Sequence, residues 1–252
     1  MSNRITFKDE RGFTLVELAI VMIIIGLLIG GILKGQELIA NAQVTSTVAQ
    51  IKGIDAATST FRDMFDAVPG DMISAGTRVP NCAVGSACAP GAANGDRRVT
   101  SLFSATPAAE GIAYFLQLSA ADLLGGINPN AVPADSWAGR YPAAKIGGGM
   151  QVAYFAGNAT LPNQSGGIAA NVRAGHYIAL LGTPTGGVTT TGVITPQQAF
   201  RIDNKMDDGQ PRAGSVLAAG AVAGANGCAN ATFAYNESVP GSLCNLYIRF
   251  QN

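Results

Sequence analysis

From Phe13 to Leu33 the chain runs 21 residues with a single charge, Glu17. As a helix at 1.5 Å per residue this run is about 31 Å long, the hydrocarbon thickness of a bilayer. It reads as a membrane span. The 12 residues before it are polar and carry Arg4, Lys8, Asp9, Glu10 and Arg11. Their basic residues place residues 1–12 in the cytoplasm and the rest of the chain outside. A secretory signal peptide is the competing reading, with Leu18 to Leu33 as its apolar region and Ala40-Asn41-Ala42 as its cleavage site. That reading leaves Glu17 without a purpose, and a lone carboxylate in an apolar span is costly enough to imply a partner.

The remaining 219 residues are long enough to bury a core. Sixteen acids balance sixteen bases and no basic run occurs, which argues against a nucleic-acid surface. The four cysteines, Cys82, Cys88, Cys228 and Cys244, lack the C-x-x-C spacing and histidine company of a zinc site. They read as disulfides of an oxidising compartment. Three connectivities exist, and pairing within each neighbouring couple is the simplest.

No proline occurs between Phe13 and Val68. Val44, Val48, Ile51, Ile54, Ala57, Phe61, Phe65 and Val68 recur at spacings of three and four, drawing one stripe along a helix. The pattern predicts one helix from about Thr14 to Asp66, apolar all round in its first half and packed on a head in its second. A break at Gly30-Gly31 or Gly35 is the alternative, since each glycine costs about 1 kcal/mol in a helix interior. Pro69-Gly70 ends the element.

Arg11-Gly12-Phe13-Thr14-Leu15-Val16-Glu17-Leu18, followed by the apolar run, resembles the signal of type IV prepilins and type II secretion pseudopilins. Gly30 to Ile39 and Phe61 to Met72 are similar to a widespread prepilin-like group, although the helix proline of the best-known pilins is missing. The resemblance implies a leader of residues 1–12, a long helix over 13–68 whose first part, 13–33, is membrane anchor and filament core, and a globular head over 69–252. It further implies that a prepilin peptidase cleaves after Gly12 and methylates Phe13, and that Glu17 pairs with the terminal amine of a neighbouring subunit. The implied partners are copies of the same chain in a helical filament, the inner membrane before assembly, and pilus or secretion machinery. The Cys228 and Cys244 couple lies where pilins commonly have a disulfide. The implied class is a structural subunit, of an extracellular pilus or of a periplasmic pseudopilus. A membrane-anchored periplasmic binding protein that shares only the signal is the alternative from another class.

The head reads as α+β, an antiparallel sheet laid on the long helix. Ala108 to Leu124 is expected as a helix, Met150 to Ala156, His176 to Gly182 and Leu246 to Phe250 as strands, and Thr195 to Asp203 as a short helix opening at Pro196. Asp203, Asp207 and Asp208 before Gly209 supply the oxygen ligands calcium prefers, and some pseudopilins hold calcium in a C-terminal loop. The spacing is not that of an EF-hand, and a turn in which Asp207 and Asp208 cap backbone amides is the other reading. Asn94-Gly95-Asp96 before Arg97 and Arg98 reads as a salt-bridged turn. His176 is expected as a packed strand residue, and no hydrolase, metalloprotease or P-loop motif is present.

Overall fold

The structure is a computed structural model and describes residues 12–89, 91, 93–100, 110–128, 137–157, 172–183, 192–220, 227–230, 232, 234–241 and 244–250. The leader up to Arg11 and the expected helix start at Ala108 lie outside the described residues. The chain divides into two compact units, Met1–Ala42 and Gln43–Asn252. Helix α1 spans Leu15–Phe65, within one residue of the predicted limits at each end.

In the first unit the helix surface is exposed throughout its apolar run, with Leu15 86% and Leu27 75% accessible. By length and composition it can cross a membrane.

In the second unit the stripe Val44, Val48, Ile51, Ile54, Ala57, Phe61 and Phe65 is buried, and Val68 continues it beyond the helix end. These side chains share one cluster with Ile112 and Phe115 of α3 (Glu110–Ala120), Ile202 of α4 (Pro196–Met206), and Ile178, Leu246 and Ile248 of the sheet. Each such side chain removed from water contributes about 1.5–3 kcal/mol. Three polar clamps fix the register. Thr58 bonds the Tyr114 hydroxyl, Gln50 holds the Ala143 carbonyl and the Lys145 amide, and Lys205 donates to Thr45. The Tyr114 phenol has no water contact, and that burial pushes its ionisation well up.

The sheet has four antiparallel strands in the order β1 (Gly149–Phe155), β2 (Gly175–Leu181), β4 (Cys244–Arg249), β3 (Val216–Gly220). Gln151 stands opposite Ala179, Ala179 opposite Tyr247, and Tyr247 opposite Leu217. Met150, Val152, Ile178, Leu180, Leu246 and Ile248 point into the cluster of α1. The alternate residues Ala153, Tyr177, Ala179, Leu217 and Tyr247 form a second buried cluster on the opposite face. A long N-terminal helix with an antiparallel sheet makes this an α+β, pilin-like fold. Strand β3 was not expected, and the helix anticipated from Ala108 to Leu124 is shorter, closing at Ala120.

The excursion between α1 and α3 contains one helical turn, α2 (Ala75–Arg78), and the Cys82–Cys88 disulfide. Gln117 of α3, fully buried, accepts the Gly70 amide at 2.6 Å and donates to the Cys88 carbonyl at 2.9 Å. Gly70 has φ +88, and a Cβ there would strike the Glu110 carbonyl, so only glycine fits. Asp71, 2% exposed, accepts from the amides of Asn94, Gly95 and Arg97. The turn at Asn94-Gly95-Asp96 differs from the expected salt bridge. Asn94 and Asp96 each cap an amide two residues on, and Arg97 pairs instead with Asp66 at 3.1 Å.

Candidate functional site: the helix start and the acidic loop

Gly12 and Phe13 lie immediately before α1, and Phe13 is 87% exposed. Thr14 and Glu17 close a reciprocal capping box. The Glu17 carboxylate accepts the Thr14 amide at 2.9 Å and its hydroxyl at 2.8 Å, while Thr14 Oγ1 accepts the Glu17 amide at 3.3 Å. Two of the four orphan amides of a helix start are thereby satisfied. Both bonds that the carboxylate accepts use Glu17 Oε2, so Oε1 has no partner among the described residues. An open apolar hollow along Phe13, Glu17, Leu18, Ile20 and Val21 adjoins that carboxylate. The helix start thus presents a half-engaged acid beside a seat for another apolar side chain.

Residues 7–33 match the model of the prokaryotic N-terminal methylation motif. The chain carries a prepilin-type signal. No curated protein and no solved structure matches it. The motif defines a structural, pilin or pseudopilin type of N-terminus, consistent with a membrane-anchored precursor and with processing by a prepilin peptidase.

The acidic loop follows α4. Thr195 caps that helix through its hydroxyl, Gln198 reaches back to the Thr195 amide, and Pro196 opens it. Asp203 lies on the last turn and is fully buried. Its carboxylate accepts the Tyr235 hydroxyl at 2.7 Å and the Gly209 amide at 3.3 Å. Burial first, and then the neighbouring Asp208 and Asp207, raise its pKa to about 7 against those two bonds. The Tyr235 phenol is raised for the same reasons, burial foremost.

Asp207 accepts the Ser215 and Val216 amides through Oδ2, and Asp208 accepts the Gln210 amide at 2.9 Å. The Pro211 carbonyl accepts the Ala218 amide, so the loop covers the outer edge of β3. That protects an edge strand from pairing with another chain. Gly214, at φ +75, is required here because a Cβ would collide with the Asp207 carboxylate.

The three carboxylates each bring an oxygen within 4.8 Å of the others. The acids considered in the sequence as cation ligands are therefore assembled, and each of them also accepts at least one backbone amide. Lys205 points away to Thr45 and does not neutralise them.

The structure joins Cys228 to Cys244 and Cys82 to Cys88. Cys228 closes the loop that carries Tyr235, whose strand-like bridge to Ala229 aims the phenol at Asp203. Sequence reasoning passed over Thr14, Asp71, Gln117 and Tyr235. Only Thr14 had a local signal, the Thr-x-x-Glu spacing of a capping box.

Proposed function

We infer that the chain is the structural subunit of a type IV pilus-like filament. A prepilin peptidase removes residues 1–12, the helix over 13–68 supplies the filament core, and the head over 69–252 faces outward in an extracellular location. Catalysis has no part in this role. The observation that carries it is Glu17, an acid with one unengaged oxygen on a fully exposed apolar helix, four residues after the residue that follows the cleavage glycine. Cleavage leaves an ammonium on Phe13. In lipid each charge is poorly solvated, and a neighbour's opposite charge relieves both while fixing the register between copies. The calcium reading of Asp203, Asp207 and Asp208 belongs to the same proposal and is tested separately below.

Mass spectrometry of the mature chain tests the processing step. The expected product begins at Phe13 and is about 14 Da heavier than the unmodified chain, whereas a terminus at Gln43 contradicts it. Electron microscopy of sheared cell surfaces tests the filament. Wild-type filaments containing this chain, absent in Glu17→Ala despite normal membrane insertion, support the reading. Normal filaments in Glu17→Ala refute the pairing argument, and filaments confined to the periplasm place the chain in a secretion pseudopilus.

A further inference from the structure

Asn94 is followed by Gly95, a step open to a spontaneous reaction. The asparagine side chain is an acyl group, and the next backbone nitrogen can attack it to close a five-membered ring. A glycine leaves that nitrogen unshielded by any side chain. Asn94, Gly95 and Asp96 are exposed, and a hollow lined by Asp66, Asp71, Arg78, Gly95 and Arg97 opens the step to solvent. Asn94 is bonded through its backbone amide and its Oδ1. Its Nδ2, the group that has to leave, makes no hydrogen bond among the described residues.

Asp71 opposes the reaction. It is 2% exposed, its Oδ1 accepts the Asn94 amide at 3.0 Å and the Gly95 amide at 2.8 Å, and its Oδ2 accepts the Arg97 amide at 2.6 Å. Gly95 at φ +75 and Arg97 at φ +62 curl the backbone into a concave nest around the carboxylate. The Gly95 nitrogen attacks only after giving up its proton. A bare nitrogen beside the carboxylate sets two negative groups at hydrogen-bond distance, which is costly. The Asn94 side chain is held as well, through the Asp96 amide on its Oδ1 at 2.9 Å.

We propose that Asn94 is a self-modification site gated by Asp71, which reacts when the three amides leave the carboxylate and thereafter keeps the segment from closing. The Gly95 nitrogen, its proton taken by water, bonds to Asn94 Cγ, the Cγ–Nδ2 bond breaks, and ammonia leaves with a proton from solvent. Water then opens the ring at either carbonyl, leaving aspartate or isoaspartate at position 94. Either product adds a carboxylate beside Asp71 and Asp96. Isoaspartate also lengthens the main chain by one carbon between the two amides that share Asp71 Oδ1. The chemistry needs only water and is independent of filament assembly. The same segment lies along β1, where the Val99 carbonyl accepts the Tyr154 amide, so a modified head loses an anchor of the cover on that edge strand.

The test incubates the full chain in detergent micelles at neutral pH, with peptide mapping that separates asparagine, aspartate and isoaspartate at position 94. The same chain in urea gives the ungated rate, and there Asn94-Gly95 and Asn226-Gly227 are expected to react alike. In the folded wild type Asn94 is expected to react at least about tenfold more slowly, the factor that one or more hydrogen bonds to a charged acceptor supply. Asp71→Asn offers one acceptor oxygen and no charge, and should raise the folded rate about tenfold or more. In the modified fraction the Gly95 and Arg97 amides should lose their exchange protection. If Asp71→Asn does not fold, the wild type decides, because one opening governs both processes and the slowing at Asn94 must match the exchange protection of the Gly95 amide. A mismatch between those two factors overturns the proposal. So do a folded rate equal to the rate in urea, an unchanged rate in folded Asp71→Asn, and a modified fraction whose Gly95 and Arg97 amides stay protected.

Discussion

Asp203→Asn should stabilise the head most at alkaline pH, less at pH 5, and hardly at all below about pH 4. A carboxyl raised to about 7 in the folded chain binds a proton that the unfolded chain, with an ordinary aspartate near 3.9, has already released. Such a group contributes its full stability below the unfolded value and loses it as pH rises through the folded one. The interval is about 3 pH units, worth about 1.36 kcal/mol each, so the wild type forfeits about 4 kcal/mol between pH 4 and pH 8 as a ceiling. Asparagine keeps the shape and neutrality of the protonated acid. Its oxygen still accepts from one of Tyr235 and Gly209, the two donors that hold Asp203.

Urea unfolding of the full chain in micelles at pH 5, 6.5 and 8, followed by tyrosine fluorescence, provides the comparison. The wild-type midpoint should fall across the series, while that of Asp203→Asn stays level and lies higher at pH 8. A wild-type midpoint that is flat or rises between pH 5 and 8 refutes the reasoning. So does a variant that is less stable at pH 8, since that result means the ionised carboxylate is worth more to Tyr235 and Gly209 than its burial costs.

If a hard cation sits among Asp203, Asp207 and Asp208, millimolar calcium raises the melting temperature by mass action and Asp207→Asn abolishes the increment, whereas curves indifferent to calcium and chelator leave amide capping as the loop's whole function. Gln117→Leu strands the buried Gly70 amide and Cys88 carbonyl and should cost about 2–6 kcal/mol in urea unfolding, at about 1–3 kcal/mol for each unpaired group. Replacing both Cys228 and Cys244 by serine opens a loop with a sequence separation of 16 and should cost about 3 kcal/mol in the same assay. Asn245 is fully buried, and neither of its side-chain polar atoms is bonded among the described residues, so Asn245→Leu should raise the midpoint, and a lowered midpoint contradicts that account.

The legible parts of this sequence are those whose burial is one-sided. The α1 stripe shows a clean three-and-four spacing because one side of the helix is buried and the other is wet, and its limits follow from Thr14 and from Pro69-Gly70. Strand β3 escaped for the opposite reason. Val216-Leu217-Ala218-Ala219-Gly220 is buried on both faces, shows no alternation, and consists largely of alanine and glycine, residues with little preference for a strand. Its place in the sheet is set by pairing with β4 and by the loop that covers its edge, both distant in the chain.

The acidic loop carries the same lesson into the site. Three aspartates within six residues announce an electrostatic problem in the sequence, but they do not reveal how the fold answers it. Asp207 is drawn onto the amides of Ser215 and Val216, eight and nine residues on, and this turns a cation candidate into the cap of an edge strand. Asp203 is drawn inward to Tyr235, 32 residues away, whose position depends on the Cys228–Cys244 bridge. A buried acid bonded only by a phenol and an amide, beside two more acids, favours its protonated form. The loop's charge is therefore set by tertiary contacts as much as by its residues, and its stability should respond to pH near 7, where an isolated turn of the same sequence would not.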